Sequence, residues 1–574
     1  MTTSTRAERG AALVAVLAVV VPIVVAGVHA ALDGWHPIGD NGLIVLRARD
    51  VLTEHHPWLG TWTSASLSIG TPINNPGPSL FDLLAPFAKV DPGGGVAIGV
   101  ALLNAATVVL VAVFAGRVGG ARLVAIAMVA AGALVFAMGS ELLFDPWQPH
   151  SMLLPFLALV VLAVALAAGD SWALPWAVGI ASHLVQTHLS YAVVAPGVLL
   201  AALVWAVVAV RRRPTDGTDV RSARTELRRA MLVAVLVGLA LWAQPLWEQV
   251  ARGGNLVEVA TSAGGGDDVV GAEAGVRIAG SVVGEPTGWL RPGFDDTFEP
   301  DPAGVQLVPE GPANRRVRSL PAAAASLVAV AALLGAAAWL GRRSGRRLGP
   351  AVAVVGGSAL VLAVATSSWL PVSEAFGISP HQVRYLWPIA IATAVLPWAA
   401  VLPRRAVVTL GAAALAVVAG AAAVVPANVE AGPSADVAAR PAVRSVLDQL
   451  DAVPTDEVLY FDGRSVPFAE PFSGPVLLEL QRRGIEFEVD EEFSYQVGPG
   501  RRGRDEATRQ LRLVVGTTDP AAAPPGSEVV AIADGLTSDE RARLAALPEG
   551  SPEREALQRR ADRFSVVVAL EPLR

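Results

Sequence analysis

The residues best suited to chemistry lie in short polar breaks of a strongly apolar chain. One apolar run ends at Ala31 and passes at once into Asp33-Gly-Trp-His-Pro-Ile-Gly-Asp40-Asn-Gly, which sets two carboxylates where a membrane helix would meet water. A carboxylate there can take a proton from a hydroxyl, and Gly39 and Gly42 around Asp40 would let the backbone approach a substrate closely. Asp33, nearer the end of the run, competes for the same role. Asp40 has a second reading as the N-cap of a helix starting near Gly42, since Asp is favoured at that position. Pro380-His-Gln-Val-Arg-Tyr-Leu-Trp-Pro388 offers the complementary charge. Arg384 supplies a planar fork matched to phosphate oxygens, His381 lies one helical turn earlier and Tyr385 follows directly. The other reading of Arg384 is a side chain stretched toward lipid headgroups.

Further polar groups cluster in two more breaks. Glu141-Leu-Leu-Phe-Asp-Pro-Trp-Gln-Pro-His150 carries Asp145, Trp147 and His150, which would line a sugar pocket by stacking and hydrogen bonding, or form an aromatic belt with a polar turn. His183 and Gln186-Thr-His188-Leu-Ser-Tyr191 place Gln186 and His188 inside or just above apolar runs, where they must face protein or a cavity. They form an internal hydrogen-bond network or touch substrate. Arg47 and Arg49, on an amphipathic segment suited to an interface, are either a solvated or lipid-facing pair or donor ligands. Asp40, His150 and His188 could supply a His-and-carboxylate site for a divalent cation, but no ligand spacing supports one and no metal residue is assigned. Asp267, Asp268, Asp295 and Asp296 lack the register of a calcium loop and read as solvated acids. Cysteine is absent, which excludes disulfides, thiolate metal sites and a cysteine nucleophile.

The elements that must position these groups are membrane helices. Hydrophobic residues make up 53% of the 574 and charged residues 17%, more apolar surface than a soluble core absorbs. Runs of about 17 to 25 residues, each able to cross the hydrocarbon, recur about eleven times between residues 11 and 425. Arginines punctuate them on one side: Arg6 and Arg9, Arg117 and Arg122, Arg211 to Arg229, Arg342 to Arg347, then Arg404 and Arg405. That side is expected to be cytoplasmic, together with the N-terminus. Loops 32–94, 139–150, 248–320 and 371–382 then face outward. Val28-His-Ala30 imitates a signal cleavage site, but the run before it exceeds the roughly 7 to 15 residues of a signal core, so it reads as a retained span. With Lys89 the sole lysine and Ala, Val and Gly in excess, the composition suggests a GC-rich bacterial genome and a plasma-membrane location. The net charge of −7 averages two unlike compartments and points to no partner, nucleic acid included.

Beyond the last run the material changes. Charged residues return, and short β-like runs at 457–461, 485–489, 511–515, 529–533 and 564–569 alternate with helical stretches at 439–452 and 474–483. The expected organisation is an α-helical polytopic membrane domain over 1–425 and an extracytoplasmic α/β domain with a largely parallel sheet over 426–574. The second domain reads as a scaffold or polymer-binding module.

Loop 32–94 continues through Trp58-Leu-Gly-Thr-Trp62 and Asn74-Asn-Pro-Gly-Pro-Ser-Leu-Phe-Asp82 into a second apolar helix. An acidic residue just past the first span, an interfacial helix and a Pro-rich turn together resemble the first outer loop of GT-C superfamily glycosyltransferases. Arg384-Tyr-Leu-Trp-Pro388 resembles the Arg-Tyr-x-x-Pro element opening a late span in the branch with aminoarabinose and protein-mannosyl transferases. The soluble domain after the last span is similar to that of actinobacterial arabinofuranosyl and mannosyl transferases. The resemblance implies a polyprenyl-phosphate sugar as donor. Many members carry adjacent acids in this loop, whereas Asp40 is followed here by Asn41.

The residues support such chemistry without the family. A lipid-linked sugar phosphate leaves as an anion, so an enzyme needs chiefly to deprotonate the acceptor hydroxyl and to balance phosphate charge. One carboxylate suffices and displacement inverts the anomeric carbon. The expected function is transfer of a sugar to an extracytoplasmic glycan or glycolipid, with Asp40 or Asp33 as base. A transporter or flippase would favour carboxylates in mid-span, and these acids lie in loops. A nonenzymatic anchor displaying the C-terminal domain would need one span only.

Overall fold

The computed structural model describes residues 4–212, 218–262, 269–284, 298–299, 315–316, 318–371, 380–424, 438–467 and 470–573. Asp267, Asp268, Asp295 and Asp296, and most of loop 371–382, lie outside the described residues. The chain divides into two compact units, one of Met1–Ala30, Trp58–Ser79 and Ala97–Pro433, the other of Ala31–Pro57, Leu80–Val96 and Ser434–Arg574.

The first unit is helical. Among the described residues, eight helices are long and apolar enough to cross a membrane. One of them, Gly94–Leu142, is two helices joined at Gly120, whose φ of 65° is open to glycine but strained for other residues, with a second break at Gly139. Ala173–Thr187 and Leu386–Val401 are apolar but shorter. These features account for the difference from the about eleven runs that hydropathy marks.

Helix Leu153–Ala168 is apolar on every side, and each residue from Leu153 to Ala167 is buried. A helix of that kind belongs at the centre of a bundle. The helices Ala173–Thr187, Tyr191–Arg211, Leu348–Ser368 and Leu386–Val395 surround it. Leu232, Val235, Leu236 and Leu239, by contrast, are exposed on the Thr218–Ala251 helix, as suits a lipid-facing stripe. Small residues let the helices approach: a side chain at Gly420 would strike the Ala18 carbonyl, and one at Gly349 the Ala337 carbonyl.

The second unit carries a five-stranded sheet: β1 (Leu459–Phe461), β2 (Phe487–Val489), β3 (Arg509–Val515), β4 (Glu528–Ala533) and β5 (Val566–Pro572). The order is β2-β1-β3-β5-β4, with β1 parallel to β2 and β3 and with β5 antiparallel to β3 and β4. The sheet is therefore mixed, where a largely parallel one is expected from the sequence. Val566 to Leu570 are fully buried, and an apolar run of that kind reports burial on both faces without reporting strand direction.

The helix Asp40–Asp50 belongs to this unit and is bound into it by a buried ion cluster. Asp50 is 2% exposed and receives both arms of Arg501 at 2.7 Å, Arg47 at 2.7 Å and the Gln481 amide at 2.7 Å. Two guanidiniums on one carboxylate leave a surplus positive charge, which the carbonyls of His55 and Val497 offset. Burial pushes the Arg47 guanidinium down to about 10 against the pull of Asp50, so it stays charged at neutral pH. Arg47 is thus neither solvated nor lipid-facing nor available as a donor ligand. Arg49, half-buried by contrast, bonds Gln481 Oε1 and the Ala88 carbonyl.

Replacing Arg501 by Met strips Asp50 of its two-armed partner. The expected loss is about 3 to 5 kcal/mol, the cost of unpairing a buried charge, read as a lowered unfolding midpoint of the detergent-solubilised protein. Arg502→Met, which breaks an exposed pair with Glu491, should move stability by no more than about 0.5 kcal/mol.

Candidate functional site

In the first unit, three helix junctions bring polar residues together: the turn before Gln148–Ser151, the break between Thr187 and Tyr191, and the 3-10 turn Pro380–Val383 with Arg384 after it. Each junction interrupts apolar helices, so the freed backbone and side-chain polar groups must find partners inside the protein. Asp145 accepts from the Trp147 N–H at 2.9 Å through one oxygen and meets His150 Nδ1 at 2.6 Å through the other. The opposite ring nitrogen, Nε2 of His150, bonds the Arg384 guanidinium.

This chain fixes the proton. A guanidinium only donates, so Nε2 must accept, and the imidazole hydrogen lies on Nδ1 toward Asp145. Arg384 is thereby held from behind by a neutral imidazole backed by a carboxylate. Trp147 stacks near it, with the guanidinium carbon 5.6 Å from the ring centre, and His381 packs edge-on to Trp147 at 5.0 Å. Arg384 is 4% exposed and so does not reach out to headgroups. Burial, reinforced by Arg384, holds His381 well below the usual histidine range and therefore neutral.

Tyr385 turns away from this group and shares its hydroxyl with Thr366 at 2.6 Å and Ser367 at 3.2 Å. Its ring meets Tyr191 at 6.2 Å. The Tyr191 hydroxyl is buried and has no hydrogen-bond partner among the described residues. In the sequence Tyr191 is marked only as a tyrosine that opens an apolar helix right after a polar break. Gln186 serves the internal network: its side-chain amide donates to the Leu241 carbonyl at 2.8 Å and its backbone carbonyl accepts from the Gly77 N–H at 3.1 Å. His188 Nδ1 accepts from the Ser190 N–H at 3.2 Å, and burial pushes this histidine down to about 4.

In the second unit, Asp40 is the first residue of the helix Asp40–Asp50 and its side chain is exposed. The N-cap is Gly39, with φ 53° and no side-chain cap bond, so Asp40 is not the cap that the sequence alone allows. Gly42 does not open the backbone to a sugar. The space where its side chain would lie is filled by Gly474 and Pro475. Asp33 is exposed as well, and its carbonyl accepts from Arg444 at 2.7 Å. Among the described residues no group of three or more His, Cys, Asp or Glu is disposed to hold a metal ion.

No protein-family model matches the chain, and neither does any curated protein. Among solved structures, the crystal structure of ArnT from Cupriavidus metallidurans bound to undecaprenyl phosphate aligns over 97% of this chain and 97% of its own, at 14% identity and a TM-score of 0.52. The apo state of ArnT from the same organism aligns over 98% of both chains at 12% identity and a TM-score of 0.49. The chain shares the fold of ArnT, a bundle of long apolar helices with a small C-terminal sheet domain.

Proposed function

We propose that the protein is a membrane glycosyltransferase that moves a sugar from a polyprenyl-phosphate donor to an extracytoplasmic glycan or glycolipid. The observation that carries this reading is Arg384, a buried guanidinium braced by His150 and Asp145 beside Trp147, at a break in apolar helices. A braced, buried fork of donors next to an aromatic face fits a phosphate attached to an apolar chain. The likeness to ArnT, whose crystal structure contains undecaprenyl phosphate, supports the same class of donor. The Tyr191 hydroxyl is a further donor suited to an anionic oxygen.

Asp40 is the general base in this reading. The acceptor hydroxyl gives its proton to the Asp40 carboxylate while its oxygen bonds the anomeric carbon. The bond from that carbon to the phosphate oxygen breaks, and the polyprenyl phosphate leaves with the electron pair. A single displacement inverts the carbon. Arg384 balances the charge gathering on the departing phosphate, which is where electrostatic stabilisation acts most strongly. The N-terminus is cytoplasmic, so that loop 32–94 and the C-terminal domain meet an acceptor on the outer surface. The arabinofuranosyl and mannosyl transferases of actinobacteria guide the choice of donors to assay.

Membranes containing the wild-type protein or Asp40→Asn at matched expression, supplied with radiolabelled decaprenyl-phosphate sugars, test the assignment. One donor should support transfer, and Asp40→Asn should lower it by about 100-fold or more. Wild-type transfer by Asp40→Asn would hand the role to Asp33, and failure of every donor would refute the donor class. Arg384→Lys keeps the charge but loses the fork. It should lower kcat/KM for the donor by roughly 10- to 100-fold, with Asp145→Asn giving a smaller loss because it loosens the brace and spares the guanidinium.

A further inference from the structure

The helix Ser79–Val90 is apolar on both of its sides. Phe81, Leu84 and Ala88 are buried in the protein, whereas Leu83, Pro86 and Val90 are exposed and Phe87 is half-buried. The outward set falls at i, i+3, i+4 and i+7, one continuous stripe along a helix. Two bonds dock the chain after Ala48 on the far end of this stripe. Arg49 donates to the Ala88 carbonyl at 3.0 Å, and the Lys89 ammonium donates to the Val51 carbonyl. The residue presented there is Leu52, which is 86% exposed and has a φ of 62°, a left-handed conformation that a residue with a Cβ seldom adopts. Its neighbours hold it in place: the Leu52 N–H donates to His56 Nδ1 at 3.0 Å and the Thr53 N–H to the Asp50 carbonyl at 3.0 Å. A strained backbone here serves to keep a large apolar side chain out in the open, beside Val90, which is 87% exposed.

Where the chain runs next says what covers this surface. A side chain at Gly94 would strike Ala31, so the helix Gly94–Leu142 starts in contact with the end of the helix Arg6–Leu32, and both are long and apolar enough to cross a membrane. Val90 precedes Gly94 by four residues, a reach of at most about 14 Å. Asp91 puts no free charge between them, since its carboxylate is turned back on the N–H groups of Gly93 and Gly95, each at 2.9 Å. We propose that the stripe of Leu83, Pro86, Phe87 and Val90, together with Leu52, seats the second unit in lipid, in the leaflet where these two helices meet water. The amphipathic segment that the sequence offers for that task, Asp40–Asp50, is spent inside the protein: Ile44, Val45 and Leu46 have no exposed surface. The role passes to the next apolar helix and to the tip at Leu52. An apolar helix face of this kind rests about 5 to 10 Å into the boundary between headgroups and acyl chains. The seat does not depend on which reaction the protein performs.

The chain has no cysteine, so a nitroxide can be attached at one chosen position of the full-length protein without removing any other thiol. Leu52→Cys, Leu83→Cys and Val90→Cys, each spin-labelled and placed in nanodiscs of phosphatidylethanolamine and phosphatidylglycerol, are read by power saturation with oxygen, which concentrates in lipid, and with a nickel chelate, which stays in water. Leu236→Cys on the exposed apolar stripe of the Thr218–Ala251 helix and Ala521→Cys on the exposed surface of the C-terminal domain give the lipid and water limits. All three labels should relax readily with oxygen and poorly with nickel, as at Leu236, at a depth of about 5 to 10 Å. Nickel access as at Ala521 would mean that the stripe faces water. Protection from both reagents would mean that protein covers it, a second copy of this chain included. Either result at any of the three positions overturns the proposal. Because the three residues are exposed and lie apart in sequence, a variant that fails to accumulate leaves the other two to decide.

Discussion

A buried guanidinium cannot shed its proton, so everything around it must be arranged to hold a permanent charge. Both units of this protein are organised by that constraint. In the second unit Asp50 answers Arg501 with both oxygens and Arg47 with one of them, and backbone carbonyls take up the rest. In the first, Arg384 lies against His150, which is itself tied to Asp145. Neither arrangement survives the loss of one member without leaving a charge or a donor stranded in a medium that solvates it poorly.

The two clusters differ in what surrounds them. Around Asp50 the donors of Arg501, Arg47 and Gln481 turn inward on carboxylate and carbonyl, and the result is a weld between the helix Asp40–Asp50 and the segment that follows Phe487. Around Arg384 stand the His150 imidazole, the Trp147 face and, in the same unit, the Tyr191 hydroxyl. The first pattern is what a structural knot needs. The second sets a permanent positive charge beside an aromatic face.

Much of the site was legible in the sequence as residues and little of it as partnerships. Asp145, Trp147, His150, His381 and Arg384 all stand out because polar side chains are expensive in an apolar chain. Gln186 and His188 stand out for the same reason, yet Gln186 proves to serve the internal network. Arg47 reads as a surface residue because its segment alternates apolar and charged positions, and that pattern says which face is polar without saying that a distant segment of the same unit covers it. Gly42 looked like an opening for substrate, and it is filled by Gly474 and Pro475. A glycine reports a need for space, and only the fold says what uses the space.

What the sequence determined by itself was the solvent of each segment: the apolar runs, the arginine-marked breaks between them and the charged tail with its short strands. These follow from composition over windows of one element, where burial and periodicity are local properties. The bond between His150 and Arg384, the grip of Arg501 on Asp50 and the seam joining Gly39 to Pro471 were decided by tertiary structure alone. Each links residues hundreds of positions apart, and no local pattern encodes a contact whose geometry depends on where two separate helices end.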